Sequence, residues 1–69
     1  MIKMEDYKKR ILKILSSANE PLDVEKIRRR AKIGHWNACL HHLLELYILG
    51  KIEGRKTSKS WIFWIKKGG

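Results

Sequence analysis

The sequence has few of the residues on which several protein classes depend. Its 69 residues include one cysteine, Cys39, and one proline, Pro21, and they contain no glutamine. A single cysteine excludes an intrachain disulfide framework and a zinc site built from paired cysteines. No apolar run reaches the roughly 18 residues of a membrane-spanning helix, and the charged N-terminus is unlike a signal peptide. We therefore expect a cytoplasmic protein without membrane insertion.

Negative charge is also scarce. Seven acidic residues stand against 16 Lys and Arg, which gives a net charge of +9 and a pI near 10.1. Such an excess of positive charge attracts polyanions, of which nucleic acids and anionic membrane surfaces are the common cases. The alternative is that these charges form a solvated surface that keeps a small protein soluble. Abundant Lys, Glu and Ile without Gln is weakly typical of a thermophilic source. At this length we expect one domain.

The first half of the chain has the apolar spacing of two helices. Residues 4–18 repeat apolar side chains at steps of three and four, which predicts the first helix. Pro21 ends that region, Leu22 forms a short bridge, and Asp23 is the predicted N-cap of the second helix. The apolar seam predicted for the second helix consists of Val24, Ile27 and Ala31.

Two glycines mark the limits of a third helix. We expect Gly34 to adopt a positive φ and so to turn the chain between the second and third helices. The third helix is predicted at about 36–49, with Gly50 at its C-terminal end. Its predicted core face consists of Cys39, Leu43, Leu46 and Tyr47.

The last part of the chain has the pattern of a β-hairpin. Residues 51–55 and 60–66 are the predicted strands, and the polar segment 56–59 is the predicted tip. Residues 61–65 are apolar on both faces, so one face must meet a partner or remain exposed. We expect the domain to span residues 1–67 and residues 68–69 to form a flexible tail.

This order of elements resembles the winged helix-turn-helix superfamily, and is similar to small archaeal and bacterial transcription regulators. The resemblance implies an α+β fold in which a three-helix winged helix-turn-helix carries a C-terminal two-stranded β-hairpin wing. It also implies that the third helix enters the major groove of double-stranded DNA while the preceding helix crosses the backbone. The residues that carry it are Ile27, Ala31, Ile33, Gly34, Leu43, Leu46, Gly50 and Ile52.

The resemblance, together with the predicted faces, assigns three sets of DNA-contacting residues. The base-facing candidates are Trp36, Asn37, Leu40 and His41. The phosphate-contacting candidates are Arg28, Arg29, Arg30 and Lys32, and those of the wing at about 51–66 are Arg55, Lys56, Ser58 and Lys59. Other roles remain open for the first set, because Asn37 also suits a helix cap, and Trp36 and Leu40 also suit core packing.

Protein interaction and catalysis are the two alternatives to DNA binding. A protein-interaction module would use apolar side chains beyond the needs of one small core, and a homodimer would suit a palindromic DNA site. The dimer candidates are Leu44, Ile48, Ile62, Trp64 and the first helix. The sequence lacks a carboxylate pair, an activated nucleophile and a phosphate-binding loop, which are the features that would indicate an enzyme. We therefore expect neither an enzyme nor a cofactor. His35, His41 and His42 lack the companion ligands of a metal site.

Overall fold

The computed structural model describes residues 4–66, which form three helices and three short strands. The helices are α1 (Met4–Ser17), α2 (Val24–Ala31) and α3 (Trp36–Ile48), and the strands are β1 (Leu22–Asp23), β2 (Glu53–Lys56) and β3 (Trp61–Trp64). The α+β class and the order of the three helices were predicted correctly, and the arrangement is compatible with a winged helix. The predicted tail at 68–69 lies outside the described residues. None of the helices within residues 4–66 combines the length and apolar character that a membrane crossing requires.

The strands form one antiparallel sheet in the order β1-β3-β2. Leu22 of β1 pairs with Phe63, which also lies opposite Gly54 of β2. The predicted two-stranded hairpin was therefore incomplete, because the bridge before α2 adds a third strand. The first hairpin strand begins at Glu53 and not at Lys51, because the N–H of Lys51 donates to the carbonyl of Leu46 at 2.9 Å in the turn after α3. The second strand, Trp61–Trp64, is shorter than the predicted 60–66.

The core lies between the three helices and the inner face of the sheet. All three residues of the predicted α2 seam are buried, and so are three of the four predicted core residues of α3. Tyr47 is the exception: it is 40% exposed, and its ring lies against Trp61 of the hairpin, with centroids 6.1 Å apart. The buried apolar residues are Ile11, Leu15, Leu22, Val24, Ile27, Ala31, Ile33, Cys39, Leu43, Leu46, Ile52 and Phe63.

The N-cap prediction for α2 is confirmed. The Asp23 carboxylate accepts a hydrogen bond from the backbone N–H of Lys26 at 2.8 Å. This bond satisfies one of the N–H groups that have no partner within the first turn of a helix. Because Asp23 also pairs with Ile62, the cap joins the start of α2 to the sheet.

The turn between α2 and α3 differs from the prediction at one residue. Lys32, and not Gly34, has the positive φ, at 57°. The N–H of Lys32 donates to the carbonyl of Arg29 at 3.2 Å, and the N–H of Ile33 donates to that of Arg28 at 3.0 Å. This is the Schellman pattern, which requires a left-handed residue directly before the apolar residue that folds back onto the helix. Ile33 is that buried residue, so the left-handed position is 32 whichever side chain stands there.

The two glycines at helix ends provide a matched test of backbone strain. Gly50, predicted at the C-terminal end of the third helix, has a positive φ of 77°, whereas Gly34 does not, and a Cβ at either position would meet open space. We expect Gly50→Ala to lower the free energy of unfolding by about 1 kcal/mol, because an alanine at this position would have a strained, left-handed backbone. Gly34→Ala should leave stability unchanged or raise it slightly. Urea denaturation of both variants measures the difference, and equal effects would contradict this account of the two turns.

Candidate nucleic-acid interface

Three groups of predicted contact residues lie on neighbouring elements. The turn cluster consists of Arg28, Arg29, Arg30 and Lys32 at the end of α2. The helix face consists of Trp36, Asn37, Leu40 and His41 in the first half of α3. The hairpin cluster consists of Arg55, Lys56, Ser58 and Lys59, at the end of β2 and in the loop that follows.

Within the turn cluster, Arg28 is held by the fold. Its Nε and Nη2 donate to the two carboxylate oxygens of Glu25 at 3.0 and 2.6 Å, and its Nη1 donates to the carbonyl of Ile33 at 3.1 Å. Hydrogen bonding to the Arg28 guanidinium lowers the pKa of Glu25 to about 2, so Glu25 stays ionised well into the acid range. Arg28 therefore fixes the turn that leads into α3.

The rest of the turn cluster points to solvent. The Nε of Arg29 donates to Glu25 at 2.9 Å, but the Arg29 side chain remains 73% exposed. Arg30 and Lys32 are exposed, and neither forms an ion pair with another residue in the range 4–66. The left-handed backbone at Lys32 directs the chain towards the start of α3. Three exposed cationic side chains thus belong to the segment that leads into α3.

The helix face presents polar and aromatic groups without a positive charge. Trp36, Asn37 and His41 are exposed, whereas Leu40 is half-buried and packs against the core. The backbone of His35 caps α3 without a side-chain hydrogen bond, so Asn37 is not used as the cap. The sequence WNACLHHLLELYI of α3 contains no Lys or Arg. Electrostatic attraction at this surface must therefore come from the elements beside α3.

The hairpin cluster is exposed at all four of its residues. Thr57, which sequence reasoning did not single out as a site residue, organises the tip. Its hydroxyl donates to the carbonyl of Ser60 at 3.1 Å and accepts from the N–H groups of Lys59 and Ser60 at 3.3 and 3.0 Å. The sequence signal for this turn is a threonine among polar residues at a hairpin tip, because a threonine hydroxyl can bond to nearby backbone groups. The ordered loop holds the cationic side chains at the end of the hairpin.

The two cationic clusters precede and follow α3 along the chain. The turn cluster precedes its first residue, and the tip end of the hairpin, where Trp61 pairs with Lys56, contacts its second half through Tyr47. The chain has no Asp or Glu between Glu25 and Glu45, and none after Glu53. Glu25 pairs with Arg28 and Arg29, so the positive charge without an acidic neighbour in sequence is that of Arg30, Lys32 and the hairpin residues after Glu53.

His42 is a buried polar residue that the sequence analysis did not assign to the core. It is 3% exposed, its ring centroid lies 5.5 Å from that of Tyr7, and its Nδ1 lacks a hydrogen-bond partner. Burial lowers the pKa of His42, so the ring is neutral at pH 7. The sequence signal for this burial is the spacing of three and four residues that places His42 on the same helix face as Cys39, Leu43 and Leu46. Within residues 4–66, no three His, Cys, Asp or Glu side chains gather as metal ligands would.

The dimer candidates differ in exposure. Ile48 is 80% exposed, whereas Leu44 is half-buried and packs against the core. On β3, Phe63 is the buried residue and Trp61 packs on the same core, while Ile62 and Trp64 are half-buried on the opposite face of the strand. The inner face of the 61–65 segment is therefore the one that carries Phe63.

Comparison of the chain with protein-family models, with curated proteins and with solved structures finds no match. Any functional assignment must therefore be argued from the fold and the surface of this chain.

Proposed function

We propose that the chain is a winged helix-turn-helix domain that binds double-stranded DNA and acts as a small transcription regulator. In this proposal α2 and α3 form the helix-turn-helix, and the β2–β3 hairpin is the wing. The observation that carries the proposal is the pair of cationic clusters, largely exposed, that precede and follow α3 along the chain. Lys and Arg contacts to phosphates supply most of the non-specific affinity of such domains, whatever the base sequence.

The proposed contacts follow from this arrangement. Arg29, Arg30 and Lys32 bind phosphates beside the major groove, and the hairpin cluster binds an adjacent phosphate strand or minor groove. The exposed side chain of Asn37 is suited to a bidentate contact with adenine, and His41 can donate to a base or a phosphate. Because α3 lacks Lys and Arg, we expect binding to depend strongly on salt and to discriminate modestly between sequences.

Removing charge from each cluster in turn tests the proposal. We expect Arg30→Ala/Lys32→Ala and Arg55→Ala/Lys56→Ala each to weaken binding to a duplex about tenfold at moderate salt. Each should also reduce the slope of log K against log salt by about 2, because two phosphate contacts are lost. Arg28 is left unchanged, since its loss would disturb the turn. Gel-shift titrations over a salt series measure both quantities.

The matched control removes the same charge from another surface. Lys9→Ala/Lys13→Ala takes two exposed lysines from α1, and we expect it to change duplex affinity much less. An equal loss in the control would mean that net charge alone drives binding and would refute the proposed orientation. Selection from a random duplex library then measures sequence preference, since specific readout enriches one motif.

A second candidate function is a protein-interaction domain that does not bind DNA specifically. It is favoured by the apolar side chains that remain exposed at the end of α3, where Ile48 is 80% and Leu49 is 64% accessible. Sedimentation with and without duplex DNA separates the two candidates. A tight dimer without salt-sensitive DNA binding would favour the second.

A further inference from the structure

An open apolar groove lies between α1 and the end of α3. Its floor consists of Leu12, Leu46 and Leu49, and three lysines line its edge: Lys8, Lys9 and Lys51. Its volume of about 180 Å³ is comparable to an apolar cavity of roughly 150 Å³ that accepts benzene. The groove therefore has room for one aromatic or branched aliphatic side chain.

Leu49 is held in an exposed position by the way α3 ends. Its N–H donates to the carbonyl of Glu45 at 3.0 Å, and the left-handed Gly50 turns the chain away directly after it. Leu46 below it is buried, and Leu12 on α1 is half-buried. The exposed face of Leu49 therefore continues an apolar floor that exists before any partner binds. A preformed site of this kind loses little conformational entropy on binding.

The charges at the edge of the groove select the chemistry of its occupant. The Nζ of Lys8 pairs with Glu45 at 3.4 Å, whereas Lys9 and Lys51 are exposed and have no ion pair among the side chains of residues 6–66. A second copy of this chain would bring a further +9 charge to these lysines. An acidic surface would instead gain from them, since complementary potentials favour association.

We propose that this groove binds an acidic amphipathic segment of a partner protein, with one large apolar side chain seated on Leu12, Leu46 and Leu49 and carboxylates facing Lys9 and Lys51. The inference is independent of DNA binding. Leu49 follows Ile48 and so lies about 100° around α3 from the row that Asn37, His41 and Ile48 form. The groove and the helix face are therefore different surfaces of the same helix.

A labelled peptide tests the groove directly. The probe is a fluorescein-labelled helical peptide with Leu and Phe on one face and Glu on the other, and its control has Ser in place of Leu and Phe. We expect the probe to bind the full chain at least about tenfold more tightly than the serine control, since burial of one apolar side chain has that effect. Fluorescence anisotropy at moderate salt measures both affinities.

Two neighbouring apolar residues provide matched variants. Leu49→Ser should weaken probe binding about tenfold, whereas Ile48→Ser, which removes a more exposed side chain outside the groove, should leave it unchanged. Both should retain the duplex affinity of the original chain within about twofold. If the original chain binds the probe but no duplex, the DNA proposal alone is refuted.

Four outcomes would overturn the proposal. The first two are equal binding of the probe and the serine control, and equal effects of Leu49→Ser and Ile48→Ser on probe binding. The third is a dimer, seen in sedimentation, that Leu49→Ser dissociates. The fourth is a chain that does not bind the probe but binds phosphatidylserine vesicles in a way that depends on Leu49.

Discussion

Phe63→Ala is expected to lower the free energy of unfolding by about 3–5 kcal/mol, which is the range for removing a fully buried aromatic ring. Phe63 lies on the central strand, between Leu22 of β1 and Gly54 of β2, and its ring stacks on Trp61 at 5.8 Å. A 69-residue domain has a total stability of only about 3–10 kcal/mol. The variant should therefore be partly or wholly unfolded at ordinary temperature.

The neighbouring residue on the same strand is the control for this prediction. Ile62 is half-buried on the outer face, so Ile62→Ala should cost about 1 kcal/mol or less. Urea denaturation followed by circular dichroism measures both losses. If the two substitutions cost the same, Phe63 does not anchor the core in the way described.

Gly54→Ala should be the most damaging single-methyl addition to the sheet, at about 1–3 kcal/mol. A Cβ at position 54 would lie 2.7 Å from both Cδ1 and Cε1 of Phe63, and 3.4 Å from Cδ1 of Tyr47. The Phe63 ring is fully buried and cannot move aside freely. Alanine would recover about 0.5–1 kcal/mol of backbone entropy relative to glycine, and we expect the steric cost to exceed this gain.

A double-mutant cycle identifies the cause of that loss. In a Phe63→Leu background the side chain opposite residue 54 is smaller, so Gly54→Ala should cost less there than in the original chain. Thermal and urea denaturation of the four proteins give the coupling energy. Additive losses would show that the ring does not oppose the new methyl group, and would contradict the close approach.

The Gly54 contact also positions the hairpin for function. Tyr47 of α3 lies beside Gly54 and Trp61, so the hairpin rests on α3 through this cluster of rings. A methyl group at position 54 would displace the Phe63 ring, on which Trp61 stacks, and so shift the Trp61–Tyr47 contact between the hairpin and α3. In the DNA-binding proposal, that shift would separate the hairpin cluster from the turn cluster and weaken the simultaneous contact of both with one duplex.

Features that depend on a few consecutive residues were predictable from the sequence. The N-cap at Asp23, the left-handed Gly50 and the buried seam of α2 all follow from side-chain chemistry within one or two helical turns. The exposure of the hairpin cluster follows in the same way from a run of polar residues between two apolar segments. Such features need no knowledge of the tertiary structure.

The turn before α3 was mispredicted because burial decided it. Conformational preference alone assigns the positive φ to Gly34, since glycine adopts it without steric cost. The buried position of Ile33 instead requires the reversal one residue before it, at Lys32. The fold tolerates a strained lysine there because the two Schellman hydrogen bonds and the burial of Ile33 fix the backbone.

Side-chain partners across the structure were the least predictable part of the site. The spacing of Glu25 and Arg28 permits an ion pair on one helix face, but the third contact of Arg28, with the carbonyl of Ile33, depends on the turn geometry. Tyr47 was predicted to be in the core because its helix position suits burial. It packs instead on Trp61, whose location is set by the pairing of β3 with β2.

The single cysteine gives the domain an intrinsic reporter of structural opening. Cys39 is completely buried beneath α2, with its Sγ 3.9 Å from the carbonyl of Val24, and burial raises the pKa of its thiol to about 11. Only the thiolate reacts with disulfide reagents, so the folded chain has almost no reactive sulfur at neutral pH. The rate of thiol labelling would then follow the rare separation of α2 from α3, and DNA or a protein partner that holds those helices together would slow it.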